Sequence, residues 1–299
     1  MHDVSAVPPP APTDDAIART IAGGSAPRGR IVLLVAHQDD EIIGVGAQLH
    51  RWAPDLTCVY ATDGSPADAT DARAAGFSDG HAYARARAEE SRDALRIAGI
   101  AWARVREFGF TDRSLVYRLA DLNDAVECLI RDLEPDIILT HAFEGGHPDH
   151  DALSLVTRSV ARRCMDHGRR VALLEFAGYA QGTDGTLVTN RFVGPPDAPA
   201  HRLPVRAGDR RRKRLMFESF RTQQRRLAMF DTSEEWLRAA PVYDYSAPPN
   251  AGQVWYDRFN WEITSTEWIR LAREFFDRRR GARQSREAIH PRAMRPHSP

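Results

Sequence analysis

Short apolar runs alternate along the chain with longer amphipathic segments. The runs predicted as strands are residues 31–35, 56–61, 105–108, 136–141 and 171–176. The segments predicted as helices lie at about residues 16–23, 42–52, 81–98, 119–133 and 152–166. Continuous apolar strands are typical of a sheet that is covered on both faces. Because helices of this length separate the strands, the pattern predicts βαβ units and a mainly parallel sheet.

The alternation stops near residue 180, which divides the chain into parts of different character. The predicted parts are 1–13, 14–180, 181–280 and 281–299. The two ends are rich in proline and in small or polar residues, so both are predicted to be disordered. The second part is the predicted Rossmann-like α/β core, with helices on both faces of its sheet. The third is a smaller, mixed α/β extension with helices at about 210–230 and 266–280, expected to pack on the core and shape the pocket.

Composition and charge exclude several classes of protein. Lys plus Arg equals Asp plus Glu, with 41 of each, so net charge indicates no nucleic-acid or membrane partner. Cys58, Cys128 and Cys164 lack paired spacing, which argues against a disulfide framework and a cysteine zinc site. No run approaches the roughly 18 apolar residues of a membrane span, and no secretory signal is recognisable, so cytoplasmic residence is expected. The basic run in 202–226 is interpreted as a solvated helix face, with an anionic substrate or surface as the alternative.

The first cluster of candidate chemistry follows the first predicted strand. The sequence AHQDDE at residues 36–41 places one imidazole and three carboxylates within five residues. Such a concentration of negative charge needs a cation or several hydrogen-bond donors to balance it. His37 and Asp40, three residues apart in a strand-to-helix turn, can point at one metal ion. Asp39 can then face the space beside the metal.

The second cluster, GGHPDHDA at residues 145–152, directly follows the fourth predicted strand. Carboxyl ends of parallel strands share one sheet edge, where ligands of open α/β sheets bind. His150 would therefore complete a two-histidine, one-carboxylate set with His37 and Asp40. Three protein ligands and an open fourth position suit a catalytic zinc better than a structural one. The same set also accepts Fe²⁺.

The two clusters together resemble the LmbE/PIG-L family of zinc N-deacetylases, whose usual motifs are A-H-P-D-D-E and H-P-D-H. The resemblance extends to T-D-G at residues 62–64, to the R-x-x-E motif that begins at Arg87, and to the region from Lys213 to Gln223. Two departures are Gln38 in place of proline and Thr222 in place of serine. The resemblance covers about residues 30–225, and it implies one Zn²⁺ per chain rather than Fe²⁺.

The resemblance also implies a role for each motif residue. His37, Asp40 and His150 would be the zinc ligands. Asp39 would be the general base that takes a proton from the zinc-activated water and passes it to the leaving amine. His147 would stabilise the oxyanion, where one donor is typically worth about 2.7–4 kcal/mol.

Four further residues are expected to surround the ligands. Glu41 and Asp149 are expected to orient the ligands rather than bind metal. Arg87 and Asp112 match family positions that contact substrate, with an exposed helix arginine and an ordinary turn aspartate as the alternatives. The aromatic segment 254–261 is interpreted as core or oligomer contact, with a wall of the substrate pocket as the alternative.

The predicted function is removal of an N-acyl group, most often acetyl, from an amino sugar or its conjugate. The partner would then be a small N-acylated sugar, and homo-oligomer formation stays open. One alternative is a metal-dependent phosphoesterase, although two-metal sites usually need more bridging carboxylates. The other is a non-catalytic sugar-binding homologue, against which the presence of Asp39 and both histidines of the second cluster argues.

Overall fold

The sheet has seven strands and is mainly parallel. A computed structural model describes residues 12–194 and 198–289 of the chain. Its strands are β1 Ile31–Val35, β2 Leu56–Pro66, β3 Val105–Asp112, β4 Ile137–His141, β5 Ala172–Phe176, β6 Tyr179–Gln181, β7 Leu187–Thr189, β8 Ala200–Arg202 and β9 Trp236–Ala239. The order is β3-β2-β1-β4-β5-β9-β8, with β6 and β7 forming a separate antiparallel pair. The first five strands pair in parallel, whereas β9 is antiparallel to both neighbours. The predicted Rossmann-like α/β sheet is therefore confirmed.

Helices cover both faces of this sheet. They are α1 Asp14–Ala22, α2 Asp40–Val45, α3 Leu49–Trp52, α4 Thr70–Ala74, α5 Gly80–Ile97, α6 Leu119–Leu133, α7 Pro148–Asp166, α8 Ala207–Ser219, α9 Gln224–Leu227 and α10 Ser265–Ile289. Within β1, Leu33 belongs to one apolar core and Leu34 to the other, because successive strand residues point to opposite faces. Met216 of α8 lies in the first core and Trp268 of α10 in the second, so the C-terminal part contributes to both.

Several predicted boundaries were wrong. The helix predicted at 42–52 is two helices, because the backbone N–H of Ala47 donates to the Glu235 carboxylate (2.8 Å) instead of continuing the first one. The helix predicted at 210–230 ends at Ser219, where the side chain of Gln224 donates to the carbonyls of Phe217 and Phe220. Strands β2 and β3 continue to Pro66 and Asp112, beyond the predicted ends at residues 61 and 108, and α4 lies where no helix was predicted.

The described ends of the chain also differ from the prediction. Helix α1 begins at Asp14, with the side chain of Thr13 as its N-cap. Helix α10 runs to Ile289 and so passes the predicted limit at residue 280. Residues 1–11 and 290–299, where disorder was predicted, lie outside the described residues. Within the described ranges, no helix is long and apolar enough to cross a membrane.

A buried ion pair fastens α8 to the core. The ammonium of Lys213, which has no exposed surface, donates to Glu235 Oε1 (2.7 Å) and to the carbonyl of Ile43 (2.9 Å). Glu235 also accepts from Ala47 N and from Gln48 Nε2. Lys213 is therefore an exception to the interpretation of the basic run as a solvated face. Because both charges are buried and hydrogen-bonded, removing one partner is costly.

Candidate metal and active site

The two sequence clusters meet where the strand order reverses, between β1 and β4. The first cluster fills the turn from β1 into α2, and the second leads from β4 into α7. Ligands of open α/β sheets bind at such a switch point, outside the carboxyl ends of the strands. The side chain of His147 caps α7 and Pro148 occupies its first turn, so His150 lies on the helix itself. The predicted convergence of the two clusters is thus present in the structure.

The predicted metal ligands contact one another through Asp40. His37 Nδ1 lies 3.2 Å from Asp40 Oδ2, and His150 Nε2 lies 3.3 Å from Asp40 Oδ1. His150 is buried, and its Nε2 has no partner with hydrogen-bond geometry. A buried ring nitrogen without such a partner, beside a carboxylate, is an arrangement that a bound cation would satisfy. This buried His/Asp group could therefore hold a metal ion.

Among the described residues, three groups of side chains have donor atoms close enough to share an ion. They are His37, His147 and His150; His37, Asp112, His147 and Asp149; and Asp40, His141 and His150. The predicted set of His37, Asp40 and His150 is spread over two of these groups. His37 and His150 share one with His147, whereas Asp40 and His150 share another with His141.

Sequence reasoning did not single out His141 as part of the site. Its ring stacks on His150 with the centroids 3.8 Å apart, and its Nε2 lies 3.4 Å from Asp40 Oδ2. The same Nε2 accepts the backbone N–H of Ala36 (3.1 Å), so this ring supports His150 and holds the end of β1. Burial, with the charge of His150, lowers the pKa of His141 to about 3. The sequence feature that could have identified His141 as a site residue is its position at the carboxyl end of β4.

Asp112 and Asp149 surround the other side of His37. His37 Nε2 lies 2.9 Å from Asp112 Oδ1 and 3.4 Å from Asp149 Oδ2. Burial alone lowers the pKa of His37, but Asp112 and then Asp149 and Asp40 raise it well above its usual value. Asp149 also accepts the backbone N–H groups of Arg113 (2.6 Å) and Leu115 (3.0 Å), which hold its carboxylate in place. Asp112 is buried, so it is no ordinary exposed turn aspartate.

Asp39 lies beside Asp40 in an unusual backbone conformation. Its φ is +123°, and its N–H donates to Glu41 Oε2 (3.0 Å). Burial raises the pKa of Asp39 to about 6, although the nearby guanidinium of Arg87 opposes the rise. Burial likewise raises the pKa of Glu41 to about 8. The arrangement holds Asp39 as a carboxylate that can take up a proton near neutral pH.

Arg87 is buried, with 3% exposure, so the alternative of an exposed helix arginine was wrong. It donates to the carbonyls of Gly64 (2.9 Å) and Gln38 (2.5 Å), and its Nη2 lies 3.3 Å from Asp39 Oδ2. These contacts tie the turn before α2 to the end of β2. They make Arg87 a partner of Asp39; substrate contact stays a prediction.

His147 is held in one tautomer. Its Nδ1 accepts the backbone N–H of Asp149 (3.2 Å), so a neutral ring carries its proton on Nε2. Burial, with the charge of His37, lowers the pKa of His147 well below its usual value. A neutral imidazole with Nε2–H available can donate to an oxyanion.

Aromatic side chains border both histidines of the second cluster. The ring of Trp261 lies 5.2 Å from His147, and that of Tyr179 lies 5.4 Å from His150, between centroids. Tyr256 of the same aromatic segment is fully buried, and Trp255 N donates to the carbonyl of Gly145 (2.7 Å). Segment 254–261 therefore contributes both to the core and to the site.

Comparison with known proteins points to one family. Residues 32–161 match the PIG-L family, described as GlcNAc-PI de-N-acetylase. A 1D-myo-inositol 2-acetamido-2-deoxy-alpha-D-glucopyranoside deacetylase of Geodermatophilus obscurus is 29% identical over 164 residues, which are 47% of this chain and 54% of that protein. A second deacetylase of this name, from Catenulispora acidiphila, is 32% identical over 42% of this chain and 49% of its own length. The chain spans about half the length of the curated relatives it matches.

Solved structures share the fold over a longer stretch. The antimicrobial reagent A40926 pseudoaglycone deacetylase Dbv21 has a TM-score of 0.55 at 22% identity and covers 71% of this chain and 97% of its own. A deacetylase–teicoplanin complex has a TM-score of 0.54 at 16% identity, and the match covers 70% of this chain and 97% of that chain. At these identities the likeness shows the fold alone.

Proposed function

We propose that this chain, whose residues 32–161 match the PIG-L family, is a zinc-dependent hydrolase that removes an N-acyl group, acetyl above all, from an amino sugar or its conjugate. The observation that carries the proposal is the convergence of His37, Asp40 and His150 with Asp39 and His147 at the switch point of the sheet. The curated relatives support the amino-sugar substrate class. Cytoplasmic residence stays a prediction.

In this proposal His37, Asp40 and His150 hold one zinc ion. When bound, zinc supplies Lewis-acid activation of a water molecule and of the amide carbonyl. Asp39 accepts the proton of the attacking water on its carboxylate and delivers it to the nitrogen of the leaving amine. His147 donates its Nε2–H to the oxygen that becomes negative as the carbonyl carbon turns tetrahedral.

The remaining buried groups position these residues. Glu41 accepts the N–H of Asp39, and Arg87 holds the Asp39 carboxylate from the side of β2. Asp149 fixes the His147 ring through its own backbone N–H. Asp112 balances the charge of His37, and a contact with sugar hydroxyls through its other oxygen stays a prediction.

Two measurements on the purified full chain test the proposal. Elemental analysis should find about one zinc per chain, as expected for a single site of this kind. The zinc-loaded protein should release acetate from one or more members of a panel of N-acetylated amino sugars and conjugates. Phosphate release from matched phosphosugars would instead support the phosphoesterase alternative. Tight sugar binding without release of either product would support the non-catalytic alternative.

A further inference from the structure

Two arginines near the site share one carboxylate oxygen. Asp71 Oδ2, on α4, lies 3.0 Å from Arg113 Nη2 and 3.0 Å from Arg226 Nη2. Arg113 follows β3, whereas Arg226 lies on α9. The proposed hydrolysis gives none of these three residues a task.

Arg113 is tied directly to the catalytic region. Its N–H donates to Asp149, and its guanidinium lies 4.4 Å from the ring centroid of Trp261, which in turn borders His147. Its backbone has φ +65°, and its side chain is only 13% exposed. Arg113 is therefore held in place before any ligand arrives, and such preorganisation favours binding.

Arg226 reaches the same carboxylate oxygen from α9. Its side chain is 46% exposed, and its contact with Asp71 is the one ion pair found for it among the described residues. Part of this side chain therefore stays open to solvent.

Other charged side chains lie on the same segments. Arg73 on α4 and Arg225 on α9 are exposed, and Asp68 Oδ2 lies 3.3 Å from Arg113 Nη1. Guanidinium groups bind carboxylates and phosphates through paired hydrogen bonds, whereas Asp71 offers both arginines the same single oxygen. The side chains of Arg226 and Asp71 are 46% and 21% exposed, and a partly exposed ion pair contributes little stability, so an anion that pairs better can replace Asp71.

We propose that Arg113 and Arg226 bind an anionic group, a carboxylate or a phosphate, on the part of the substrate beyond the N-acyl sugar. Asp71 occupies this position in the free protein and is displaced by the anion. The proposal rests on the proposed function for the position of the sugar, and it narrows the substrate class to amino-sugar conjugates with an acidic aglycone.

Binding of non-hydrolysable glycosides tests this separately from turnover. The probes are glucosamine glycosides with 4-carboxybenzyl, 4-phosphobenzyl and neutral 4-carbamoylbenzyl aglycones, titrated calorimetrically into the zinc-loaded full chain. We expect the carboxylate or the phosphate to bind about fivefold or more tightly than the carbamoyl probe, as for one well-placed charge-assisted contact. The anionic probe that binds more tightly shows whether the arginine pair prefers a carboxylate or a phosphate.

Matched variants decide whether the preference belongs to Arg226. Arg226→Gln should bring the ratio of dissociation constants close to one, while Arg225→Gln, which removes the same charge from the same short helix, should preserve it. Asp71→Asn should tighten binding of the anionic probes. Equal binding of charged and neutral probes by the unmodified protein would overturn the proposal, as would equal loss in both arginine variants. An intact preference without acetate release from any substrate would refute the proposed function and leave the anion site standing.

Discussion

Replacing Asp39 by asparagine should separate catalysis from metal binding. Asparagine keeps the shape of the side chain and, like aspartate, occurs at positive φ more readily than most residues do. This matters because Asp39 has φ +123°, where alanine would add backbone strain to the loss of the carboxylate. The asparagine side chain can still accept a hydrogen bond from Arg87, but it cannot take up a proton.

The expected magnitude follows from the contacts of the site. A positioned general base contributes about 10²–10⁴ in rate, or about 2.7–5.5 kcal/mol of barrier. Arg87 loses its charged partner but keeps the carbonyls of Gly64 and Gln38, so the cost in unfolding free energy should stay at about 1–3 kcal/mol. The three proposed ligands are untouched, and zinc content should remain at about one per chain.

The assay compares kcat, zinc content and thermal unfolding for Asp39→Asn and Asp63→Asn. Asp63 is a half-buried aspartate near the same sheet edge, whose Oδ1 accepts the N–H of Ser65, a task that asparagine can also perform. The control should keep most of its activity. If Asp39→Asn turned over within about tenfold of the unmodified protein, a rate loss too small for a general base, the assignment would be wrong. Loss of zinc along with activity would make Asp39 a ligand instead.

Four further outcomes follow from the structure. Lys213→Met should cost about 3–5 kcal/mol of unfolding free energy, measured by chemical denaturation, because Glu235 would remain charged and buried. Gly146→Ala should lower zinc content, measured by elemental analysis, since a Cβ there would lie 2.0 Å from the carbonyl oxygen of Tyr179. Burial raises the pKa of Glu175 from 4.5 to about 7, so thermal stability should fall as pH rises through that interval, because the folded state favours the protonated form. A chelator should abolish acetate release, and added zinc should restore it.

Matched variants sharpen three of these outcomes. A Lys213→Met, Glu235→Leu double variant should recover much of the stability, because no buried charge is left alone. Gly208→Ala on α8, where a Cβ meets nothing within 4 Å, should leave zinc content unchanged. Glu175→Gln should flatten the pH dependence by about 3 kcal/mol between pH 4.5 and 7. Unchanged pH dependence in that variant would assign the titration to another group.

The core of the fold and the position of the site could be predicted because both follow from local patterns. The five parallel strands are short apolar runs bounded by turns, and each helix between them has its own apolar face. Once the strands are parallel, topology alone brings the loops after β1 and β4 together. No distance information was needed to bring His37 near His150.

The features that escaped prediction depend on contacts between distant parts of the chain. Strands β8 and β9 have three and four residues, too few for a period to be visible. Strand β9 forms by pairing with β5, and β8 forms by pairing with β9. The break after α2 requires Glu235, which is 188 residues away from Ala47. The burial of Arg87 depends on acceptors in two other segments, the Gln38 turn and the end of β2.

The division of labour between the adjacent residues Asp39 and Asp40 follows from their different neighbours. Asp40 contacts His37, His141 and His150. Burial alone would raise the pKa of Asp40, but His150 and His141 lower it well below the usual value, so the carboxylate stays anionic, as a metal ligand must. Asp39 has one ion-pair partner among the described residues, Arg87, and burial raises its pKa to about 6. Two carboxylates whose environments separate their pKa values are suited to different tasks. In the proposed hydrolysis, the backbone turn that gives them different neighbours would allow one to hold the metal while the other moves the proton.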